Sequence, residues 1–162
     1  MVYNNSNVRR QDRLLNEQRA RFLLQTSEYG VLSMIDKDSL PYAVPLNFVW
    51  DNASSVYIHC ATEGKKLEAL KQNPDASFCI IGNVHLLPDK FTTEYESIIM
   101  KGIACVNISD SEKHKAIELL LQKLSPNDVE TGRKYAEKSF HRTQIIRIDF
   151  TEFSGKTKKI MR

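Results

Sequence analysis

The stretch His59-Cys60-Ala61-Thr62-Glu63-Gly64-Lys65-Lys66 gathers several chemically capable groups. Val56-Tyr57-Ile58 reads as a strand that delivers His59 at its end. The chain then turns at Gly64 into Leu67-Glu68-Ala69-Leu70-Lys71. Its leucines, three apart, read as a short helix halted by Asn73-Pro74. The first amides of a helix have no intrahelical acceptor and face an anion favourably. Gly64 permits close backbone approach. Lys65 and Lys66 put two cations where the helix dipole is already positive, and a bound phosphate would relieve that repulsion. Solvated surface lysines are the plain alternative. His59 can move a proton near neutral pH; a structural histidine is its plain alternative.

Two further segments carry interest. Pro41-Tyr42-Ala43-Val44-Pro45-Leu46-Asn47 has prolines four residues apart, which argues against a central, fully paired strand. A flat ligand lying along an edge or bulge would explain the gap that Pro45 leaves; a plain edge strand would explain it equally. Phe91-Thr92-Thr93-Glu94-Tyr95-Glu96-Ser97-Ile98 leads from hydroxyl-rich sequence into an apolar strand, where Ser97 could donate to a ring carbonyl or a phosphate. Ordinary capping by Thr and Ser is the alternative. Other chemistry is set aside. The chain has no GxGxxG after a strand, no GxxxxGK[ST] phosphate loop and no GxSxG elbow. Its Cys and His residues lack zinc spacing, so no metal site is expected.

The elements that must position these groups follow from periodicity. Asn16 to Ser27 reads as an amphipathic helix. Val31–Ile35, Tyr42–Trp50 and Val56–Cys60 read as three strands of a β-meander, joined by turns at Asp36–Ser39 and Asp51–Ser54. Ala76–Ile81 is a strand, Gly82–Thr93 a loop region, and Tyr95–Ile108 a long strand bent at Gly102. Ser109 and Glu112 form a capping-box pattern opening a helix to about Leu124. Gly132–Lys138 reads as a short helical turn. Gln144–Phe150 alternates cleanly, with Ile146, Ile148 and Phe150 on one side, and a last short strand includes Phe153. The fold expected is mainly β: an antiparallel split β-barrel of six strands with flanking helices.

The 162 residues suit a single domain spanning 1–162. No apolar run approaches the roughly 18 residues of a membrane span, and the polar N-terminus does not read as a secretory signal, so no membrane association is expected. Three cysteines, an odd number in apolar segments, read as buried reduced thiols, which fits a cytoplasmic location. The net charge of +3 is mild. Basic residues sit at the ends: Arg9, Arg10, Arg13, Arg19 and Arg21 in front, Lys156, Lys158, Lys159 and Arg162 behind. That distribution lacks the dense patch of a nucleic-acid binder.

Taken in order, these segments resemble the pyridoxamine 5′-phosphate oxidase-like FMN-binding split barrels, and within them most closely the 5-nitroimidazole-resistance (Nim) proteins. The carrying residues are Tyr42 to Val49, Tyr57 to Ala61 with Gly64-Lys65-Lys66-Leu67, and Ala76-Ser77-Phe78-Cys79. They continue with Phe91-Thr92-Thr93, Ser97-Ile98-Ile99, Gly102, Ser154-Gly155-Lys156 and the N-terminal Arg9-Arg10. The resemblance runs from about Arg9 to the end; no single motif is strong, but their order and spacing are specific.

What the resemblance implies is a homodimer with flavin, FMN or alternatively FAD, in grooves between protomers. Val44, Pro45, Leu46 and Asn47 would line the ring, with His59, Cys60 and Ala61 on the next strand. Gly64, Lys65 and Lys66 would hold the phosphate, and Ser97 and Ile98 would approach the ring or ribityl chain. His59 matches the histidine that Nim proteins place near the flavin, and is the catalytic candidate. Cys60 departs from the Ser or Gly often found there, and could put a thiol near the ring. The implied activity is reduction of nitroaromatic or other small oxidised compounds, with a small-molecule substrate and an electron donor as partners. A flavin or heme-type carrier without turnover is the alternative. A true pyridoxamine-phosphate oxidase ranks behind both, because the chain is shorter and lacks the Arg-rich C-terminal substrate site.

Overall fold

Alternating apolar residues build most of the molecule. In the computed structural model, which describes residues 1–160, eight strands and four α-helices follow in order. They are β1 (Val2–Tyr3), α1 (Glu17–Thr26), β2 (Tyr29–Ile35), β3 (Pro41–Asn47), β4 (Val49–Trp50) and β5 (Ser55–Ala61). Then come α2 (Lys65–Gln72), β6 (Asp75–Leu87), β7 (Thr92–Cys105), α3 (Asp110–Leu124), α4 (Val129–Ser139) and β8 (Thr143–Lys158). Arg162 lies outside the described residues.

The strands form one sheet in the order β3-β2-β6-β7-β8-β5-β4, with β1 added in parallel beside β8. All other pairings are antiparallel. The two ends of this order, β3 and β4, are neighbours in the chain, joined through Phe48 alone. The sheet therefore curls on itself and a covalent link closes the ring. Leu32, Phe78, Ile80, Ile98, Met100, Ile146, Ile148 and Phe153 point inward from successive strands and are fully or almost fully buried. Ala20, Leu23 and Leu24 of α1 and Leu67, Ala69 and Leu70 of α2 complete that core. A smaller second core lies outside the barrel, where Ala116 and Leu120 of α3 cover Val49, Tyr57 and Ile145.

The mainly β split-barrel architecture expected from the sequence is present, with flanking helices, but with eight strands where six were expected. The two-residue β1 is too short to show a period, and the expected strand Tyr42–Trp50 divides into β3 and β4. Asn16 caps α1 by accepting from the Arg19 amide at 2.8 Å. Gly102 stands at a register shift in β7, and a Cβ there would sit 2.1 Å from the Asp149 carbonyl oxygen. Close strand approach therefore requires glycine. Half of the capping box forms: Ser109 Oγ accepts from the Glu112 amide at 3.2 Å. The Glu112 carboxylate instead accepts from Arg147 (2.7 Å) and Tyr57 (3.0 Å), tying α3 to the sheet.

Several boundaries differ from the sequence reading. Tyr42–Trp50 is not one strand: it breaks at Phe48, the first part pairing with β2 and the second with β5. The expected three-strand meander is consequently interrupted. Most of 82–93 is not loop. It extends β6 and opens β7 as a ladder from Leu87↔Thr92 inward, with a bulge between Gly82 and His85; polar composition hid the pairing. Gly132–Lys138 lies within an 11-residue helix. Residues 144–150 and Phe153 belong to one continuous β8 of 16 residues. No helix among the described residues is long and apolar enough to cross a membrane.

Candidate functional site

The break at Phe48 creates the site. Val49 pairs with Tyr57. Continued antiparallel, that register would set Asn47 opposite His59 and Pro45 opposite Ala61. The ladder stops instead, and no β3–β5 pairing occurs among the described residues. Pro45 has no N–H to offer such a ladder. A cleft of about 320 Å³ opens along the seam, lined by Tyr29, Pro45, Leu46, Asn47 and His59. The structure thus brings together residues from β3 and β5 that the sequence singled out separately, and adds Tyr29. Nothing in the sequence flagged Tyr29, a strand-edge aromatic without a motif around it.

Strand alternation sorts the remaining candidates. Val44 and Leu46 turn toward the barrel interior and are half-buried against its core, while Pro45 and Asn47 turn outward. The Asn47 amide donates to the Glu28 carbonyl at 2.9 Å, fixing this end of β3 to the start of β2. On β5, Ile58 and Cys60 face the core while His59 and Ala61 face out. Cys60 thus points away from His59. Burial pushes its thiol pKa upward, which keeps it protonated, and the charge of Lys66 opposes this more weakly. Cys60, Cys79 and Cys105 are all free and half-buried.

No side-chain hydrogen bond holds the His59 ring among the described residues. Burial, then the nearby charge of Lys66, lowers its pKa below the ordinary histidine value, so the neutral ring is favoured near pH 7.

Beyond Ala61 the chain enters α2 through Gly64, whose φ of +125° suits glycine. A Cβ at Gly64 would meet nothing within 4 Å, so the backbone is open to a ligand. No side chain caps α2, and its first amides remain available. The two lysines differ. Lys65 Nζ lies 2.9 Å from Asp36 and 4.6 Å from the centre of the Tyr42 ring. Asp36 is 6% exposed and also accepts from the amides of Asp38 and Leu40, so it serves the β2–β3 turn and Lys65 together. That hydrogen bond to Lys65 holds the Asp36 carboxyl pKa below its ordinary value. Lys66 makes no ion pair among the described residues and is the cation left free at the helix start.

Ser97 and Ile98 lie elsewhere in the same protomer. Both are on β7, which two strands separate from β3. Ile98 is 0% exposed in the barrel core, so it can offer a ligand nothing but backbone. Ser97 faces outward, paired with Ile81 and Lys156 of the neighbouring strands. No group of three His, Cys, Asp or Glu among the described residues is placed to hold a metal ion.

An open slit with apolar Pro45 and Leu46, polar Asn47 and His59, an uncapped helix start and a free lysine fit a flat ring carrying a phosphate. A curled antiparallel sheet with a seam and outer helices defines the class as a split β-barrel. The family model described as pyridoxamine 5′-phosphate oxidase matches residues 16–157, and the chain belongs to that family. Among solved structures it is similar to a candidate 5-nitroimidazole antibiotic resistance protein from Bacteroides thetaiotaomicron. That likeness has 18% identity and a TM-score of 0.71, and covers 90% of this chain and 86% of the other. It is also similar to the FAD and heme binding protein of Mycobacterium smegmatis (20%, TM-score 0.76, covering 90% and 72%). A third is a FAD-binding protein from Mesorhizobium loti (22%, TM-score 0.63, covering 91% and 98%). At these identities the likeness is one of fold. No curated protein matches the chain.

Proposed function

We propose that the protein is a flavin-binding oxidoreductase, a homodimer with FMN in the seam between β3 and β5, that reduces nitroaromatic or other small oxidised compounds. The observation that carries this reading is the convergence of Pro45, Leu46, Asn47 and His59 on one slit. The open start of α2 follows β5 directly. The names of the similar proteins, which include FAD-binding ones, support a flavin without choosing between FMN and FAD.

In this reading Pro45 and Leu46 pack along the ring, Val44 backs them from the barrel core, and Asn47 hydrogen-bonds its polar edge. Ala61 and Gly64 leave room for the chain that leads to the phosphate. Lys66 and the first α2 amides hold the phosphate; Lys65, engaged by Asp36, shapes the turn and contributes charge. A flavin held there would supply two-electron transfer between a nicotinamide or reduced carrier and the substrate. Conversion of a nitro group to a nitroso group takes two electrons and two protons and releases water. His59 stands at the cleft to supply one of those protons.

One protomer's cleft lies at the low end of ligand-site volumes, about 300 Å³ and upward. It borders an outward sheet face bearing Tyr29, Ile35, Ile81, Ile99 and Ile103, all exposed. An exposed apolar face of this kind marks an interaction surface. A second copy seated on it would roof the cleft and bring its own outward-facing Ser97 within range, which accounts for the separation of Ser97 and Ile98 from the seam in one chain.

The test is the spectrum, native mass and released cofactor of protein purified from a flavin-replete host. A yellow dimer that releases FMN, is reduced by NAD(P)H or dithionite and is reoxidised by metronidazole is the expected result. A colourless monomer that stays so when FMN is added overturns the proposal. A Soret band without flavin would replace it with a tetrapyrrole carrier.

A further inference from the structure

His59 also lines a second compartment, beside α3 and α4. We propose that the space between α3, α4 and the His59 end of β5 is a binding pocket for a small, uncharged, mainly apolar ring compound. It is a cavity of about 270 Å³, and no charged residue lines it. Its walls are Ile117, Leu121 and Leu124 of α3 and Ala136 of α4, with Tyr135, 71% exposed, at the rim.

The polar groups on the wall narrow the ligand class. Ser139 already donates to the Tyr135 carbonyl at 2.8 Å, and Thr143 to the Ser139 carbonyl at 3.0 Å. Away from the rim, His59 and Ser125 are the wall side chains without a hydrogen-bond partner among the described residues. An ion would touch no charged side chain on this wall, and burying it unpaired would be costly. An apolar ring with one or two polar substituents would instead bury its hydrocarbon part against α3 and reach His59 with a substituent. A dry cavity of roughly 150 Å³ takes up benzene, so this one holds a one- or two-ring molecule.

The cavity is built into the fold. Arg133 of α4 grips the Glu118 carboxylate of α3 through two nitrogens, at 2.9 Å and 2.5 Å. Lys113 of α3 donates to the Phe140 carbonyl just beyond α4 at 2.6 Å. These ties hold together the two helices that wall the cavity. His59 lines both the seam cleft and this cavity, so the two spaces share one residue. As the seat of the electron acceptor, the pocket rests on the flavin reading; as a pocket for apolar rings, it stands on its own lining.

The test uses nitrobenzene as the probe, titrated calorimetrically into the whole protein as purified, with flavin content read in the same samples. Ala136→Trp should weaken nitrobenzene binding at least tenfold and leave flavin content unchanged. In wild-type protein with labelled methyl groups, ring protons of nitrobenzene should show nuclear Overhauser effects to Ala136 and Leu121, a readout that needs no variant. Absence of binding, unchanged binding in Ala136→Trp, or Overhauser contacts confined to β3 residues would each overturn the pocket. Colourless protein that binds nitrobenzene with these contacts would overturn the flavin reading and leave the pocket standing.

Discussion

On one side of the barrel, β6, β7 and β8 run for 13, 14 and 16 residues and pair along most of their length. On the other side, β3, β4 and β5 run for 7, 2 and 7 residues and leave a seam. Backbone pairing satisfies the long wall internally; at the seam the two facing edges keep groups available for something else. The wall holds the fold, and the short side is free to form a site because it does not have to. Substitutions in the wall should therefore act on stability, and substitutions at the seam on ligand and turnover.

The largest effect is expected in the wall. Gly102→Val forces a side chain into the Asp149 carbonyl and should destabilise the protein by about 3 kcal/mol or more in a denaturant titration. A loss under about 1 kcal/mol would erase the contrast between the two sides. At the seam, His59→Ala should keep fold and flavin and slow reduction of a nitro compound about 100-fold. The sign of the pH effect follows from the lowered His59 pKa. The wild-type rate should be full at low pH and fall as pH rises through a value below 6.5. The variant should lack that limb, and an identical pH profile would remove His59 from proton delivery.

The two lysines sharpen the comparison within the site. Lys66→Ala should weaken flavin retention about tenfold. Lys65→Ala should weaken it less, because Asp36 already engages that ammonium. Equal losses measured by dialysis would mean that Lys65 leaves Asp36 for the phosphate.

The smallest effect concerns Lys123 on α3. Its Nζ is buried without a hydrogen-bond partner among the described residues, 3.7 Å from the centre of the Phe48 ring. Burial lowers its pKa from 10.5 to about 8. The unfolded chain therefore holds this proton more tightly, and wild-type stability should rise with pH between those values. Lys123→Met should stabilise the protein by about 1 kcal/mol near neutral pH, after discounting for solvent screening and the lost ring contact. The gain should shrink above about pH 10.5, as melting temperatures at the two pH values would reveal.

Sequence patterning exposed the wall better than the seam. Alternation of Ile146, Ile148 and Phe150 declared an inward face, and Gly102 declared a bend. The break at Phe48 was hidden because Leu46-Asn47-Phe48-Val49-Trp50 keeps strand-like composition across it. Only Pro45 hinted that pairing would fail. Residues 82–93 concealed an extended ladder because their side chains are largely exposed and carry no alternation. His59, Gly64 and Lys66 were legible, since a strand end followed by Gly-Lys-Lys is a local pattern. Tyr29, the Lys65–Asp36 pair and the cavity beneath α4 depend on chain segments far apart in sequence, and no local pattern encodes them.

A ring closed through Phe48 is a ring with a pivot. Consecutive Cα atoms are a fixed 3.8 Å apart, so β3 stays tied to β4 at that corner, and through the short β4 ladder to β5. Any widening must grow with distance from it, greatest near Pro41 on one jaw and beyond Ala61 on the other. Such an opening would be a wedge, admitting thin molecules deeper toward Asn47 and His59 than thick ones. For the flat ring proposed at the seam, thickness, more than outline, would then be the first sieve.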